Sequence, residues 1–190
     1  MIWKFENGIL GQYAEKVEKN FFDKTDPAIH AAAYVAPKEV TCADAEFAGK
    51  YIDICVQYHR LYGNERALES AARVVRSIAE NQREDGYLGT LAAGCEFEYF
   101  SVWNQTFTLL GLYRFYRETK EEGALRCALR CAAWLADAFI DKKRDILDCM
   151  NGGAEHSSCL YPLVLWWKET GDLNCRRLID HISARLIKDM

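Results

Sequence analysis

A glycine-containing loop between two helical patterns decides how the rest of this chain is interpreted: Gln82-Arg83-Glu84-Asp85-Gly86-Tyr87-Leu88-Gly89-Thr90. Its two glycines lack a Cβ atom and accept positive φ angles, which predicts a shaped turn in place of continued helix. A loop of this kind can present side chains at one end of a helical assembly. The alternative is a simple helix stop, in which Tyr87 and Leu88 fill the end of the core.

The sequence on both sides of this loop has the apolar spacing of helices. An amphipathic pattern begins after Asn64 and ends at Gln82, and a segment that is apolar over much of its circumference runs from Phe100 to Thr119. Spacing and capping residues predict further helices at Gly8 to Lys24, Asp44 to Tyr62, Glu121 to Ile140, Glu155 to Thr170, and from Asp172 onwards. The segment Ile29 to Val40 contains Pro37, so we expect a loop with at most a helical turn there.

Three breaks between helices repeat along the chain, and each joins a more buried helix to a more amphipathic one. They are Tyr62-Gly63-Asn64-Glu65, Thr119-Lys120-Glu121-Glu122 and Thr170-Gly171-Asp172. Their spacing of about 50 to 57 residues exceeds that of tetratricopeptide and ankyrin repeats, which is about 33 to 34. Such hairpins stacked around a ring have buried inner helices and amphipathic outer ones. We therefore predict an all-α fold of about seven helices, arranged as part of an α/α toroid.

Charge and hydropathy exclude several classes of partner. The formal net charge is -4, and no basic stripe gathers lysine and arginine as phosphate binding requires, so nucleic acid is not expected. The longest apolar run, Leu160 to Trp167, is far shorter than the roughly 20 residues of a membrane span. The first residues do not resemble a secretory signal. We expect a cytoplasmic protein with no membrane partner.

The eight cysteines mostly fall within apolar helical patterns, which favours reduced, buried thiols over disulfides. They are Cys42, Cys55, Cys95, Cys127, Cys131, Cys149, Cys159 and Cys175. Cys127 with Cys131, and His156 with Cys159, have a spacing that could place both members on one helix face and bind a metal. No pair has the tight CxxC spacing of zinc sites, so we expect no metal and no cofactor.

Polar and aromatic residues gather where the three inner helices begin. Hydroxyl-rich sugars are bound by hydrogen bonds from carboxylates, amides and helix N-termini, and by stacking on aromatic rings. If the inner helices start at one rim of the ring, the loop at residues 82–90 leads into the same rim. The residues expected to contact a carbohydrate are Glu46, Lys50, Asp85, Tyr87, Trp103, Asn104 and His156.

Glycoside hydrolysis usually requires two carboxylates about 5 to 9.5 Å apart. Glu46, Asp85 and Glu155 are candidates, but no neighbouring residue marks one of them as the acid, so the catalytic residues remain unknown at this stage. We interpret His156 as a hydrogen-bonding residue at a helix start in preference to a catalytic base.

An ordered set of motifs resembles one enzyme family. The set comprises Glu46-Phe47-Ala48-Gly49-Lys50-Tyr51, then Gln82 with Asp85-Gly86-Tyr87-Leu88-Gly89-Thr90, then Gly111-Leu112 with Tyr116-Arg117-Glu118-Thr119, and then Leu160-Tyr161-Pro162-Leu163 with Glu169-Thr170-Gly171-Asp172. Together these motifs resemble the β-L-arabinofuranosidase-type glycoside hydrolases, a group formerly known as a domain of unknown function. The motifs occur in order over nearly the whole chain.

The resemblance implies an (α/α)6 toroid, the six-hairpin glycosidase fold, followed by β-rich domains in a longer chain. Residues 1–190 would then be a single domain, the N-terminal portion of the toroid. In relatives the catalytic glutamate and a cysteine nucleophile at a zinc site lie in the later part of the toroid, so these roles are not transferred to this chain. The resemblance also implies a carbohydrate substrate.

Two other classes of function remain open. One is a non-catalytic helical sugar-binding or scaffold module from a truncated or degenerate reading frame. The other is a different enzyme on a similar toroid, such as an unsaturated-uronide hydrolase or a sugar epimerase. Apolar patterns near both termini, Ile9 to Val17 and Leu173 to Ile187, would lie at the open edges of a partial ring. We therefore expect a homo-oligomer that uses one of these stripes.

Overall fold

A computed structural model of the chain describes residues 8–40 and 44–188. Eight α-helices occur within these ranges: α1 (Ile9–Val17), α2 (Ala28–Val35), α3 (Asp44–Tyr62), α4 (Glu65–Asn81), α5 (Ser101–Thr119), α6 (Glu122–Ala136), α7 (Leu160–Thr170) and α8 (Leu173–Lys188). No strand occurs there, and one parallel bridge pairs Lys38 with Leu91. None of these helices combines the length and apolar character needed to cross a membrane. The all-α class is confirmed.

The helices from α3 onwards form two layers. In the inner layer, α5 packs between α3 and α7, and in the outer layer α6 packs between α4 and α8. The outer helices are amphipathic, whereas α5 is buried over most of its circumference. Each hairpin thus pairs one inner with one outer helix, which is the arrangement of an α/α toroid-type fold.

The repeated breaks work as helix caps. The Asn64 side chain accepts a hydrogen bond from the Ala67 backbone N–H at 2.9 Å, and Asp172 does the same for Cys175 at 2.9 Å. Lys120 ends α5 and Gly171 ends α7, and both adopt the left-handed conformation that terminates a helix. These caps fix where each hairpin turns, so the inner helices α5 and α7 end at the same side of the assembly as α3.

Two glycines let the inner helices α3 and α5 approach closely. A Cβ atom on Gly49 would overlap the carbonyl oxygen of Phe107, and one on Gly111 would lie 2.5 Å from the carbonyl oxygen of Gly49. Both obstacles are backbone atoms, which cannot rotate away as a side chain can. The contact between α3 and α5 is therefore possible only with glycine at both positions.

The segment that we expected to be a loop, Ile29 to Val40, is helical over α2. Alanine has the highest helix propensity, and this segment contains four in Ala28–Val35. Asp26 caps its start by accepting a hydrogen bond from the Ala28 backbone N–H at 3.0 Å. Pro37 lies beyond the last helical residue, where it stops the helix without interrupting it. The prediction of a loop was wrong because Pro37 was interpreted as a break within the segment, whereas it follows the helix that the alanines favour.

Two other helices begin or end differently from the expectation. The first continues from α1 into a π-helical turn, Glu18–Phe22. The helix expected from Glu155 starts with a 3-10 turn, His156–Cys159, and becomes α-helical only at Leu160. In the connection between α6 and α7, the Ile146 side chain is buried.

One apolar core runs through both layers and contains most of the cysteines. Seven of the eight cysteines lie in the described residues, where they form no disulfide, and Cys42 lies outside them. Burial raises the pKa of Cys55, Cys127 and Cys159 to about 12. These thiols are thus protonated at neutral pH and pack as small apolar side chains.

The two terminal stripes differ in the structure. Ile9, Leu10, Tyr13 and Val17 are exposed on α1, as expected for an open edge. On α8, in contrast, Leu178 and Ile182 are fully buried, and only Leu173 and Ile187 at its two ends are strongly exposed. The expected open stripe on the last helix is therefore wrong, because α8 packs this face against α6 and α7.

We predict that Gly49→Ala destabilises the chain by about 2 kcal/mol or more, since the added methyl group must push α5 away from α3. Thermal and urea unfolding followed by circular dichroism measure this loss. Gly123→Ala is the matched control, because its Cβ would meet only the end of the Glu121 side chain at 3.6 Å. In that helix the same substitution should be neutral or stabilise by up to about 1 kcal/mol. Equal effects at the two sites would contradict the prediction.

Candidate functional site

Three segments that are distant in sequence contact the N-terminal end of α5. From the loop at residues 82–90, the Tyr87 hydroxyl shares a hydrogen bond of 2.9 Å with the Ser101 hydroxyl. From the 3-10 turn before α7, His156 Nε2 donates to the Tyr99 carbonyl oxygen at 3.2 Å. From α3, Glu46 binds Trp103, as described next. The rim suggested by the repeat is thus assembled around the start of the central inner helix.

Four side chains of α3 and α5 form one partly exposed cluster at this rim, which we call the Glu46–Trp103 cluster: Glu46, Lys50, Trp103 and Phe107. Glu46 Oε2 accepts a hydrogen bond from the indole Nε1–H of Trp103 at 2.9 Å, and Lys50 Nζ donates to Glu46 Oε1. The Lys50 ammonium also lies 4.5 Å from the centre of the Phe107 ring. The Trp103 and Phe107 rings meet edge to face with centroids 5.0 Å apart. The cluster therefore combines an ion pair with two aromatic rings.

The cluster begins a stripe of accessible side chains along α5. Trp103, Phe107, Leu110 and Arg114 are partly exposed and Arg117 is exposed, whereas the other side chains of the helix between Ser101 and Phe115 are buried. Their spacing of three or four residues places them on one helix face. On this face Trp103 contacts Glu46 of α3, and Arg117 lies 3.2 Å from Glu169 of α7. Arg114 Nε lies 3.6 Å from Asp53 Oδ1 of α3. We call this accessible face of the inner helix α5 the wall.

Asp85 belongs to a network that holds the loop in shape. Its carboxylate pairs with Arg83, accepts a hydrogen bond from the Tyr87 backbone N–H at 3.0 Å, and accepts another from Trp134 Nε1 at 3.2 Å. Arg83 also pairs with Glu96 at 2.6 Å, which ties the start of the loop to the segment before α5. The hydrogen-bonded Arg83 guanidinium lowers the pKa of Asp85 below its ordinary value.

Tyr87, Asn104 and His156 are buried, so the structure places them behind the accessible wall. Burial raises the pKa of Tyr87 to about 12 and lowers the pKa of His156, which favours the neutral form of both side chains. His156 donates to a carbonyl oxygen, as the sequence interpretation of a hydrogen-bonding residue proposed. Tyr87 and Leu88 fill the end of the core, which was the alternative interpretation of the loop. Contact of these residues with a sugar stays a prediction.

A comparison with protein families identifies the chain. Residues 7–184 match the family model described as "Beta-L-arabinofuranosidase, GH127 catalytic domain". The chain belongs to the GH127 β-L-arabinofuranosidase family. No match was found among the curated proteins or among the solved structures. The family assignment therefore depends on the ordered sequence pattern, and it agrees with the α/α toroid-type fold described above.

The residues that the structure describes do not fit the zinc site associated with GH127 relatives. In residues 8–40 and 44–188 no group of three or more His, Cys, Asp or Glu side chains is arranged to hold a metal ion. No step of the chemistry can therefore be assigned to a metal held by these GH127 residues.

Sequence reasoning missed part of the wall of this GH127 chain. Phe107 and Arg114 were not among the expected site residues, although both lie in the accessible stripe. The spacing of Trp103, Phe107, Leu110 and Arg114 carried the necessary signal. This signal could not be recognised because α5 is apolar over most of its circumference. In such a sequence, an apolar residue on the accessible face cannot be told from an apolar residue in the core.

We predict that Asp85→Asn lowers the free energy of unfolding by about 1 kcal/mol at neutral pH, because it removes the charge that pairs with Arg83. The folded pKa of Asp85 lies below the unfolded value of 3.8. Its stabilising contribution is thus present above this value and is lost as the pH falls through the folded pKa. Urea unfolding between about pH 7 and about pH 3 should therefore show a difference from wild type that shrinks in acid.

Asp180→Asn is the control for this experiment. Asp180 pairs with Arg176 on the outer surface of α8 at 2.8 Å, where both side chains are about half exposed. Its loss should change stability by less than about 0.5 kcal/mol at any pH. A pH-independent difference for Asp85→Asn, or an equal effect of Asp180→Asn, would show that the loop network does not act as described.

Proposed function

We propose that this chain forms part of the wall of a carbohydrate cleft in a glycoside hydrolase that cleaves β-L-arabinofuranosidic bonds. The observation that carries the proposal is the Glu46–Trp103 cluster, in which a partly exposed carboxylate and a partly exposed indole are held together at one end of the inner helices. The GH127 family assignment supports the reaction class. The reactive sugar would lie against the inner wall, near the N-terminal ends of α3 and α5.

The chemistry of the cluster suits a sugar ring. The Glu46 carboxylate has acceptor capacity beyond its bonds to Lys50 and Trp103, and it can receive a hydrogen bond from a sugar hydroxyl. Lys50, whose side chain is 44% exposed, can donate to a hydroxyl or to a ring oxygen. Trp103 and Phe107 offer apolar surface to the C–H face of a sugar. The ion pair also holds the indole in one orientation before the ligand arrives, which lowers the entropy cost of binding.

The charges of the described residues favour a binding role over the role of a catalytic acid. A general acid in a glycosidase needs a raised pKa, so that it carries a proton at working pH. Among the described residues, every carboxyl group whose pKa departs from its ordinary value has a lowered pKa. Burial opposes a lower pKa at Glu96, but hydrogen bonds and the Arg83 cation outweigh it there. Hydrogen bonds also lower the pKa of four more: Asp85, Asp145, Glu155 and Glu169.

Glu46 and Asp53 on the wall are each paired with a cation, Lys50 and Arg114 respectively. We therefore infer that the 190-residue chain binds the sugar but does not hydrolyse it alone. Asp85, Tyr87, Asn104 and His156 support the wall from behind in this proposal: Asp85 through the loop network and the other three through the packing under Trp103.

We predict that the chain binds methyl β-L-arabinofuranoside and that Trp103→Ala weakens binding by about tenfold, since the variant loses both stacking area and the partner of Glu46. Saturation-transfer NMR and calorimetric titration measure the affinity. Glu46→Gln should weaken binding by a smaller factor, because the amide keeps one acceptor but loses the charge that attracts Lys50. The same chain should release no 4-nitrophenol from 4-nitrophenyl β-L-arabinofuranoside.

Trp167→Ala is the matched control, because Trp167 is a partly buried tryptophan on α7 that packs under the Arg176 guanidinium and has no contact with the cluster. It should leave the affinity unchanged. Methyl α-D-glucopyranoside serves as the sugar control. Binding that ignores Trp103→Ala and Glu46→Gln would refute the proposed site, and hydrolysis by the isolated chain would refute its purely binding role.

A further inference from the structure

The accessible face of α3 lies beside the wall. Four of its residues, spaced three or four apart, are at least partly exposed on one side of the helix: Glu46, Lys50, Asp53 and Gln57. Glu46 and Lys50 belong to the Glu46–Trp103 cluster. Two turns after Glu46, Asp53 approaches Arg114 of α5, and we call these two side chains the Asp53–Arg114 pair. Polar side chains of α3 and α5 therefore meet at two points along this surface.

The Asp53–Arg114 pair makes fewer hydrogen bonds than its groups allow. Arg114 Nε lies 3.6 Å from Asp53 Oδ1, which is too long for a hydrogen bond. This Nε is shielded from water, and among the described residues it has no hydrogen-bond partner. Gln57 Nε2 donates to Asp53 Oδ1 at 3.3 Å, and the described residues make no other side-chain hydrogen bond to either member of the pair. Asp53 Oδ2 and the terminal amino groups of Arg114 therefore keep their capacity to bind a ligand.

The unused groups of the pair match a sugar diol. The Arg114 and Asp53 side chains are 30% and 31% exposed, so a ligand can reach them. A hydroxyl group both donates and accepts hydrogen bonds, so of two neighbouring hydroxyls one can donate to Asp53 Oδ2 while the other accepts from Arg114. The formal charges of the pair cancel, and Asp53 would repel the carboxylate of an acidic sugar. The pair thus favours a neutral carbohydrate.

The surface between the Glu46–Trp103 cluster and the Asp53–Arg114 pair is apolar. The Phe107 and Leu110 side chains are partly exposed there, and the C–H face of a sugar can pack against them. Asp53 follows Glu46 by seven residues, which is about 10 Å along the helix axis at 1.5 Å per residue. One furanose ring cannot span this distance, so a ligand that reaches both points has at least two sugar units.

We propose that the Asp53–Arg114 pair is a second binding point, which takes two neighbouring hydroxyl groups of a neutral sugar unit and so selects an oligosaccharide over a monosaccharide. The inference rests on the proposed function, because it extends the carbohydrate cleft from the Glu46–Trp103 cluster along the wall. The Gln57 amide holds the Asp53 carboxylate through Oδ1 and leaves Oδ2 to the ligand.

Calorimetric titration of the full 190-residue chain tests the second binding point. Its ligands are methyl β-L-arabinofuranoside and the methyl glycosides of the linkage-isomeric disaccharides of that sugar. We expect at least one disaccharide to bind about tenfold more tightly than the monosaccharide. Arg114→Met keeps the apolar stem of the side chain but removes its donors, so the ratio of the two affinities should fall to about 1. Asp53→Asn should lower the ratio by about threefold, since the amide keeps one acceptor.

Arg66→Met is the matched control, because it removes an arginine of the outer helix α4 that pairs with Asp23 at 2.9 Å. It should leave the ratio within about twofold of wild type. Circular dichroism verifies that every variant is folded. The Nε–H resonance of Arg114, identified by its absence from Arg114→Met, should shift in heteronuclear NMR spectra when the disaccharide is added. A purely structural role of Arg114 would leave this resonance unchanged.

The outcomes separate this inference from the proposed function. Equal affinities of the wild type for the monosaccharide and the disaccharides, or a disaccharide preference that persists in Arg114→Met, would overturn the second binding point alone. A chain that binds none of these sugars would refute the proposed function as well. Digalacturonate is the acidic comparison. If it binds more tightly than every neutral disaccharide and Arg114→Met abolishes this binding, the pair binds a carboxylate and the assignment to a neutral sugar is overturned.

Discussion

The close approach of α3 and α5 at Gly49 and Gly111 is the constraint on which the rest of the structure depends. With no side chain on either glycine, the two inner helices lie nearly in backbone contact. The helix α2 adds a further contact, because the Tyr34 hydroxyl and the Thr108 hydroxyl of α5 share a hydrogen bond of 2.6 Å. Thr108 also donates to the Ala45 carbonyl oxygen at 3.1 Å, which links the two helices one turn away from Gly49. The outer helices α4 and α6 pack against this pair.

The Glu46–Trp103 cluster is a direct result of that approach. Glu46 lies less than one turn before Gly49, and Trp103 lies about one turn before the carbonyl group that the glycine contacts. The hydrogen bond between the two side chains is 2.9 Å long only because the helix axes are so close. A wider spacing would leave the carboxylate and the indole in water, without orientation. The packing of two glycines thus determines the geometry of side chains at the accessible rim.

Much of the fold could be predicted from the sequence, because its signals are local. Asn64 and Asp172 cap helices as their residue type suggests, and the bounds of α3, α4 and α5 agree closely with the apolar spacing. The helix α2 was missed because a proline after the helix was interpreted as a break within it. The packed face of α8 was also missed, since an apolar pattern does not reveal whether a neighbouring helix covers it.

The candidate site could be predicted only in part. The rim was recognised because polar and aromatic residues begin several inner helices, and Glu46, Lys50 and Trp103 do meet there. The sequence could not show that the Asp85 carboxylate pairs with Arg83 and accepts a hydrogen bond from Trp134, because Trp134 is 49 residues away along the chain. Nor could it show that Asn104 and His156 lie behind the wall. Such contacts depend on the rotation of each helix about its axis, which helical spacing alone does not define.

The irregular segment between α4 and α5 has a practical consequence for protein engineering. Loops are ordinarily the first choice for affinity tags, fluorophores or inserted peptides. Here Tyr87, Leu88, Thr90 and Leu91 are at most 2% exposed, and an insertion among them would expel core side chains. Gly94 offers a better position, because nothing lies within 4 Å of a side chain added there. Since its φ angle is +94°, the glycine itself should be kept and the foreign sequence placed next to it.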